Sequence, residues 1–558
     1  MTTIHSQLKQ HALLWLGLAV LILTILFVNP FRETPFEDDW AFALTVEHLL
    51  NTGNYRPHDY AGMNMPFQAY WGGLFAHVLG YSFSSLRIST LLLVFLGLIA
   101  FYYLAREHKL DDTQAGLITI GLFASPLVLN HSFTFMTDVP FLMCLIVALF
   151  LYTRAIRLHS YSLMVLASIA ASAAILTRQF GVALPAGVFF LWAFSRECRQ
   201  KALFFWAGLI FPVVAGLWQL YTGIVTPNWT ARYHMRLQSL YFTDLGTVLG
   251  NILWRPTVIL QYLALFSLPF VLLALLVLTF EIKQSRVHTI SSKLPRLNVL
   301  LGVSALYILA GVIYGHFVNH VSWLIPYLAW DDTLARLSRW QRGSLTLITS
   351  FGAILYAYIL VLRYSNSQGW ERMPPSERLL DLVSLFLLMQ LLIFRTIGDR
   401  YLIAFLPFLL IVVGRHLGSW LNRFSTSTAM ACLAMLVTCA IWTRGLLTAA
   451  EAEWKAAELI RATGVDPVRI YGSPTWNRYY GGAFDDWRSQ IDDRKLTSQE
   501  DFWIRYLPER SRSTEFLVTG SADSPVNEKW EVVTEVPYSN TLFRVKHFYV
   551  LRRVTGDQ

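Results

Sequence analysis

Residues 13–40 read LLWLGLAVLILTILFVNPFRETPFEDDW: an unbroken apolar stretch, Leu13–Val28, followed closely by three consecutive carboxylates, Glu37, Asp38 and Asp39. The apolar stretch approaches the ~20 residues that cross a ~30 Å hydrocarbon layer, which puts the acids at a membrane surface. No small-residue cleavage site follows it and many more apolar runs do, so it reads as a retained helix and not as a signal peptide.

Those further runs define the class. Of 558 residues, 55% are hydrophobic and only 15% charged, with the apolar residues gathered between short polar connections. About thirteen runs read as transmembrane helices, with cores at 12–29, 82–104, 113–129, 138–153, 161–176, 179–194, 203–221, 256–280, 297–316, 345–362, 380–394, 401–417 and 427–443. In lipid each must satisfy its own backbone hydrogen bonds, as a helix does. After Trp442 the composition becomes that of a soluble α/β module. A helix is expected at 448–463, closed by Gly464, and another at Asp501–Leu507. Strands are expected at Val468–Tyr471, Glu515–Thr519, Trp530–Val533 and Leu542–Val554. The expected architecture is thus a polytopic α-helical membrane domain, 1–443, with a structured outer loop at 30–81 and a small α/β domain at 444–558.

Basic residues resist translocation and collect in cytoplasmic loops. With the amino terminus inside, Lys9, Lys109, Lys201, Lys283 and Lys293 all fall inside, and so do the pairs Arg154/Arg157, Arg196/Arg199, Arg286/Arg296 and Arg415/Arg423. An odd helix count then places the C-terminal domain on the outer face. The net charge of +9 is read as this topology signal, with weak attraction to anionic lipid headgroups and no case for nucleic acid. Cys144, Cys198, Cys432 and Cys439 sit in or beside expected helices and imply no disulfide framework.

Within the outer loop, Thr34-Pro35-Phe36-Glu37 reads as a helix start, with Thr34 as cap and Glu37 reaching back to its amide. That helix is expected to run to about Leu50 and stop before Gly53, with a companion at Met65–Leu79, both lying along the outer surface. Five other outer segments carry charge: Asp138 in the turn Asn130–Pro140, Arg178 between two closely spaced runs, Arg232, His234 and Arg236 in one loop, His320, Asp331, Asp332 and Arg336 in another at 317–344, and Arg395 and Arg400 in a tight turn before Tyr401.

Acids and arginines gathered on one membrane face suit a phosphorylated, membrane-held substrate attacked by a hydroxyl. A carboxylate can take the proton of that hydroxyl, for which Asp38, Asp39 and Asp138 are the candidates. Guanidinium groups can bind the departing phosphate in a bidentate manner, for which Arg178, Arg395 and Arg400 are the candidates. Structural roles compete at each position: Glu37 as capping residue, Asp38 and Asp39 as first-turn charges offsetting the helix dipole, Asp138 as a cap, and the arginines as headgroup anchors. His234, His316 and His320 are the histidines open to metal ligation, without any pair at zinc-type spacing. Trp40, Tyr70, Trp71, Trp229 and Trp323 read as interface aromatics first and sugar platforms second.

The segments Glu37-Asp38-Asp39-Trp40-Ala41-Phe42-Ala43, Gly80-Tyr81-Ser82-Phe83-Ser84-Ser85-Leu86-Arg87, Thr137-Asp138-Val139-Pro140, Leu176-Thr177-Arg178 and Asp399-Arg400-Tyr401-Leu402 together resemble the GT-C membrane glycosyltransferases. The group resembled is that of the dolichyl-phosphate-mannose–protein mannosyltransferases and lipid A aminoarabinose transferases. The resemblance covers most of residues 10–443. It implies transfer of a hexose or pentose, with inversion, from a polyprenyl-phosphate donor to a glycolipid, polysaccharide or protein hydroxyl at the outer face. It also implies that Asp38 is the base, that Asp39 occupies the neighbouring acidic position, and that Arg400 and Tyr401 lie near the donor phosphate. Where the aminoarabinose transferases carry Glu-Lys before a double proline, this chain has Asn64-Met65-Pro66-Phe67, without the acidic ligand or the lysine. A divalent metal is the one cofactor left open. The competing expectations are a transporter or flippase for a lipid-linked or anionic substrate, and a non-catalytic assembly scaffold.

Overall fold

The structure is a computed structural model that describes residues 11–225, 228–283, 339–365, 373–395, 398–480, 515–522, 530–541 and 543–554. The span expected at 297–316, the helix expected at Asp501–Leu507, and His316, His320, Trp323, Asp331, Asp332 and Arg336 lie outside these residues. The described chain is a bundle of apolar helices with a small C-terminal sheet, and it is an integral membrane protein.

By length and apolarity, Phe83–Glu107, Asp138–Leu158, Ala202–Val225, Leu245–Phe266 and Ser425–Arg461 can each cross a membrane alone. The run expected at 113–129 is two helices, Asp112–Ala124 and Pro126–Ser132, bent by 66°. The bend falls at Pro126, which has no amide hydrogen to continue the ladder. The run expected at 256–280 is likewise divided, into Leu245–Phe266 and Leu268–Lys283. There Ser267 returns its hydroxyl to the Leu263 carbonyl, and Pro269 falls in the first turn of the second helix. The run expected at 401–417 opens as a 3-10 turn, Asp399–Phe405, and becomes α-helical only from Leu406 to His416. Shorter apolar helices include Ala12–Val28, Tyr161–Ile175 and Gln179–Phe194.

The bundle is apolar on both its inner and its outer surfaces. Val94, Phe101, Leu142, Ile146 and Leu184 are buried between helices, whereas Leu203, Ile210, Val214, Leu217 and Tyr221 of Ala202–Val225 face outward. An outward apolar face of this kind is what a lipid environment covers.

In the loop at 30–81 the capping arrangement expected at Thr34 and Glu37 does not form. The helix spans Asp39–Thr52, and Glu37 adopts φ 55°, a left-handed conformation that cannot belong to a helical turn. What starts the helix is Asp39, whose Oδ1 accepts the Phe36 amide at 2.7 Å, while Thr34 is buried and gives its carbonyl to Arg87. The helix does end at Gly53, at φ 71°. Its companion is Pro66–Leu79, and the two share a core of Phe42, Val46, Leu49, Met65, Leu86 and Phe135. This core ties the loop to the start of Phe83–Glu107 and to the 133–136 turn. At Gly72 a Cβ would lie 2.6 Å from the Phe135 ring, so the closeness of this packing depends on glycine.

A single helix of 37 residues, Ser425–Arg461, continues from the bundle through position 443 into the C-terminal sheet. At ~1.5 Å per residue it is roughly 55 Å long, enough to cross the membrane and project beyond it. Its far end places Trp454, Ala456, Ala457 and Ile460 against Ile470, Trp476, Phe516, Val518 and Val550. The sheet comprises β1 (Ile470–Tyr471), β2 (Phe516–Thr519), β3 (Trp530–Ser539) and β4 (Val545–Arg553), in the order β1-β2-β4-β3. β1 and β2 are parallel, and the other pairs are antiparallel. The short helix Pro474–Tyr479 leaves β1 and packs onto Asp39–Thr52, bringing the sheet domain to the acidic loop.

Candidate active site

Four carboxylates converge at the starts of Asp39–Thr52 and Asp138–Leu158, and each faces a guanidinium. Asp39 is completely buried, with Oδ2 3.4 Å from Arg87. Arg87 is equally buried and also donates to the carbonyls of Pro30, Arg32 and Thr34, the last two at 2.8 and 2.6 Å. One guanidinium therefore fixes the backbone of the segment that precedes the helix and the carboxylate that begins it. Burial pushes the Asp39 carboxyl up to about 6, with Arg87 and the Phe36 amide holding it lower than burial alone would. Asp39, one of the three candidate bases, is thus sealed from solvent as a tie between Arg87 and the start of its helix.

Asp138 and Arg178 form a second buried ion pair, with side chains 0% and 3% exposed. Asp138 opens its helix and Arg178 precedes the 3-10 turn Gln179–Val182. The Arg178 guanidinium lies 4.7 Å from the centre of the Tyr401 ring, and that of Arg400 lies 5.7 Å from it. Two cations thus lie within cation–π range of one aromatic ring. Phe180 and Phe394 extend the aromatic wall behind Tyr401.

Glu37 stands between these pairs. Burial pushes its carboxyl up to about 8; Arg400 is the strongest opposing influence, and the charges of Asp38, Asp138 and Asp39 add to the rise. At neutral pH Glu37 is therefore protonated. Its backbone carbonyl accepts the Thr475 hydroxyl at 3.3 Å, a contact from the sheet domain.

Asp38 is the most open of the four, one-third exposed, with Oδ1 3.2 Å from Nη1 of Arg478. Arg478 lies over the Tyr60 ring at 5.2 Å, and Tyr60 stacks on Trp40 at 5.0 Å. Trp40, expected as an interface aromatic, is instead 1% exposed and forms the floor beneath Asp38, with Tyr479 at its edge.

The structure thus brings together Asp38, Asp39, Asp138, Arg178, Arg400 and Tyr401. Arg395 sits apart from the ion pairs: its amide donates to Gln238 and its carbonyl accepts from Arg255. Its connection to the group runs through His234, where desolvation and then the positive fields of Arg395 and Arg400 hold the imidazole below its ordinary value. Sequence reasoning quoted Arg87 without giving it a partner, and it missed Arg478 altogether. A lone arginine four residues into an apolar helix was the available signal for the first, since such a charge must be paired. Nothing local marks Arg478.

Among the described residues, no three His, Cys, Asp or Glu side chains converge as a metal cage. Both Asp39 oxygens are engaged, by the Phe36 amide and by Arg87, whereas Asp138 meets Arg178 through Oδ1 and its buried Oδ2 has no hydrogen-bond partner among the described residues.

Residues 63–218 match the family model for dolichyl-phosphate-mannose-protein mannosyltransferase. Among solved structures, the chain is similar to ArnT from Cupriavidus metallidurans bound to undecaprenyl phosphate, at 14% identity over 98% of this chain and 99% of that one, with a TM-score of 0.44. It is also similar to the oligosaccharyltransferase AglB from Archaeoglobus fulgidus in complex with an inhibitory peptide and a dolichol-phosphate, at 14% identity over 97% and 74%, with a TM-score of 0.46. No curated protein sequence matches. Through the segment that carries Arg87, Asp138 and Arg178, the chain is similar to the GT-C membrane glycosyltransferases of the dolichyl-phosphate-mannose–protein mannosyltransferase group.

Proposed function

We propose that the chain is an inverting glycosyltransferase that moves a hexose or pentose from a polyprenyl-phosphate donor to a lipid, glycan or protein hydroxyl. The acidic loop and the sheet domain lie at the outer face, and the amino terminus lies inside. What supports this reading is one accessible carboxylate, Asp38, paired with Arg478, together with two further cations, Arg178 and Arg400, gathered on Tyr401, with Glu37 feeling the charge of both Asp38 and Arg400.

In this reaction the acceptor oxygen attacks the anomeric carbon from the face opposite the phosphate. The anomeric C–O bond breaks, its electron pair leaves with the polyprenyl phosphate, and the acceptor proton passes to Asp38. Transfer to a positioned base contributes about 10²–10⁴-fold. Arg178 and Arg400 oppose the charge growing on the phosphate, which is already a good leaving group. Protonated Glu37 keeps one negative charge away from the incoming phosphate. Asp39 and Arg87 hold Asp38 in place through the adjoining backbone.

The test is transfer by purified protein from radiolabelled polyprenyl-phosphate sugars to a membrane extract. Asp38→Asn is expected to lower the rate by at least about 100-fold. Undiminished transfer by that variant would refute the assignment of the base, and substrate flux in proteoliposomes without covalent transfer would favour the transporter reading.

A further inference from the structure

At the other end of the bundle, a cleft of about 450 Å³ opens among the ends of several helices, with Arg106, Lys109, Arg157, His159, Lys201 and Phe204 in its wall. It is remote from the acidic cluster. Asp138 and Arg157 stand near opposite ends of the 21-residue helix Asp138–Leu158, and at ~1.5 Å per residue that separates them by roughly 30 Å.

The charges of the cleft do not cancel locally. Glu107 is taken by Arg154 and Arg157, Glu377 by Arg415 and Arg363, and Glu197 faces Arg378 at 3.8 Å. Arg106 is held by Asp112 and by the Leu110 carbonyl. Two ammonium groups then remain without a carboxylate among the described residues. Lys201 Nζ lies 2.9 Å from Nε2 of His159, and among the described residues neither Lys201 nor Lys109 forms an ion pair. Lys109 also has φ 68°, a conformation that glycine adopts without strain and lysine does not. A lysine therefore stands where the backbone by itself favours glycine.

The surroundings indicate what kind of anion fits. Ile156 and Phe204 give the cleft an apolar wall. Beside it in the chain, Leu158, Tyr161 and Leu203 are 52%, 55% and 79% exposed, so an outward apolar surface adjoins the cationic one. A phosphate carried on acyl chains satisfies both surfaces at once, and a soluble anion satisfies only the first. We propose that this cleft binds the headgroup of an anionic phospholipid, with Lys109 and Lys201 on the phosphodiester and the acyl chains along Leu158, Tyr161 and Leu203.

The test uses the full chain, delipidated in neutral detergent and titrated with phosphatidylglycerol or phosphatidylcholine of identical acyl chains, with bound lipid counted by native mass spectrometry. Phosphatidylglycerol is expected to bind at least tenfold more tightly. Lys109→Gly combined with Lys201→Gln is expected to remove that preference, while the lipid-free melting temperature does not fall, because glycine relieves the backbone at position 109. Equal binding of the two lipids, or a preference that survives the double substitution, would overturn the proposal. So would a preference abolished by Arg400→Ala alone, which would assign the lipid to the acidic end. sn-Glycerol 3-phosphate competing at the same concentrations as the lipid would assign the cleft to a soluble phosphate and overturn the lipid reading.

Discussion

Removal of Arg87 tests whether the acidic loop is built as described, through its dependence on pH. Asp39 has its carboxyl raised from 3.8 to about 6. The folded state therefore holds a proton that the unfolded chain has released between about pH 4 and 6. Stability falls as pH rises through that window, by roughly 3 kcal/mol in all, and is flat above it. In Arg87→Met the buried carboxyl has lost its counter-ion and stays protonated to higher pH, so the decline continues where wild type has levelled off. Relative to wild type, the variant should lose a further increment of roughly 1 kcal/mol for each pH unit above about 6. Loss of the bonds to the Pro30, Arg32 and Thr34 carbonyls adds a pH-independent deficit, at about 1.5–3 kcal/mol for each bond to a charged donor. The assay is thermal unfolding in detergent, followed by intrinsic fluorescence at pH 5, 6, 7 and 8. The expected result is a gap between variant and wild type that is constant at pH 5–6 and widens above. Adding Asp39→Asn should remove the widening. Parallel profiles across the whole range would refute the account of Asp39 as a buried acid held by Arg87.

Other outcomes follow from the same geometry. Glu37→Gln should leave transfer at pH 7 close to wild type, because Glu37 is already neutral there. In wild type the donor KM should rise several-fold from pH 7 to 9 as Glu37 ionises through about 8, and in the variant it should stay flat; profiles that rise together would exclude Glu37 as the cause. Arg178→Met should destabilise by about 3–5 kcal/mol by leaving buried Asp138 unpaired, and Arg178→Met with Asp138→Leu should recover much of that loss in the same melting assay. On the proposed mechanism, in which Arg178 opposes the charge on the phosphate, both variants should lack transfer. Gly72→Ala should cost about 1–3 kcal/mol by forcing a methyl group into the Phe135 ring, and Phe135→Leu in the same chain should relieve it. A melting temperature unchanged by Gly72→Ala would show that the loop core is looser than the 2.6 Å approach implies.

Hydropathy alone determined that the chain is a helical membrane protein, and composition alone placed a small α/β module after the last apolar run. Lipid leaves the backbone few alternatives to the helix, so twenty apolar residues specify an element almost regardless of context. Breaks within those runs were less legible. Pro126 and Pro269 were visible, but whether a proline bends, divides or merely starts a helix depends on what packs around it. The helix start at Asp39 shows a local rule overridden. Thr34-Pro35-Phe36-Glu37 has the residues of a capping box, yet Arg87, about fifty positions later, takes the Thr34 carbonyl and pairs with Asp39, and the chain turns there instead.

The candidate site divides along the same line. Asp38, Asp138, Arg178 and Arg400 could be singled out because charge at the edge of a hydrocarbon layer is costly and needs an explanation wherever it occurs. Their pairing could not be read, because it joins positions 40 residues apart in Asp138–Arg178 and 440 apart in Asp38–Arg478. Three adjacent acids look alike in the sequence. Folding gave them different surroundings: Glu37 buried beside other negative charge, Asp38 one-third open beneath Arg478, and Asp39 sealed against Arg87. Sequence thus determined which groups carry charge at this membrane face, since that depends on residue type and position along the chain. Tertiary structure alone decided which of them hold the loop together and which one stays open to solvent, since that depends on burial and on partners brought in from distant segments.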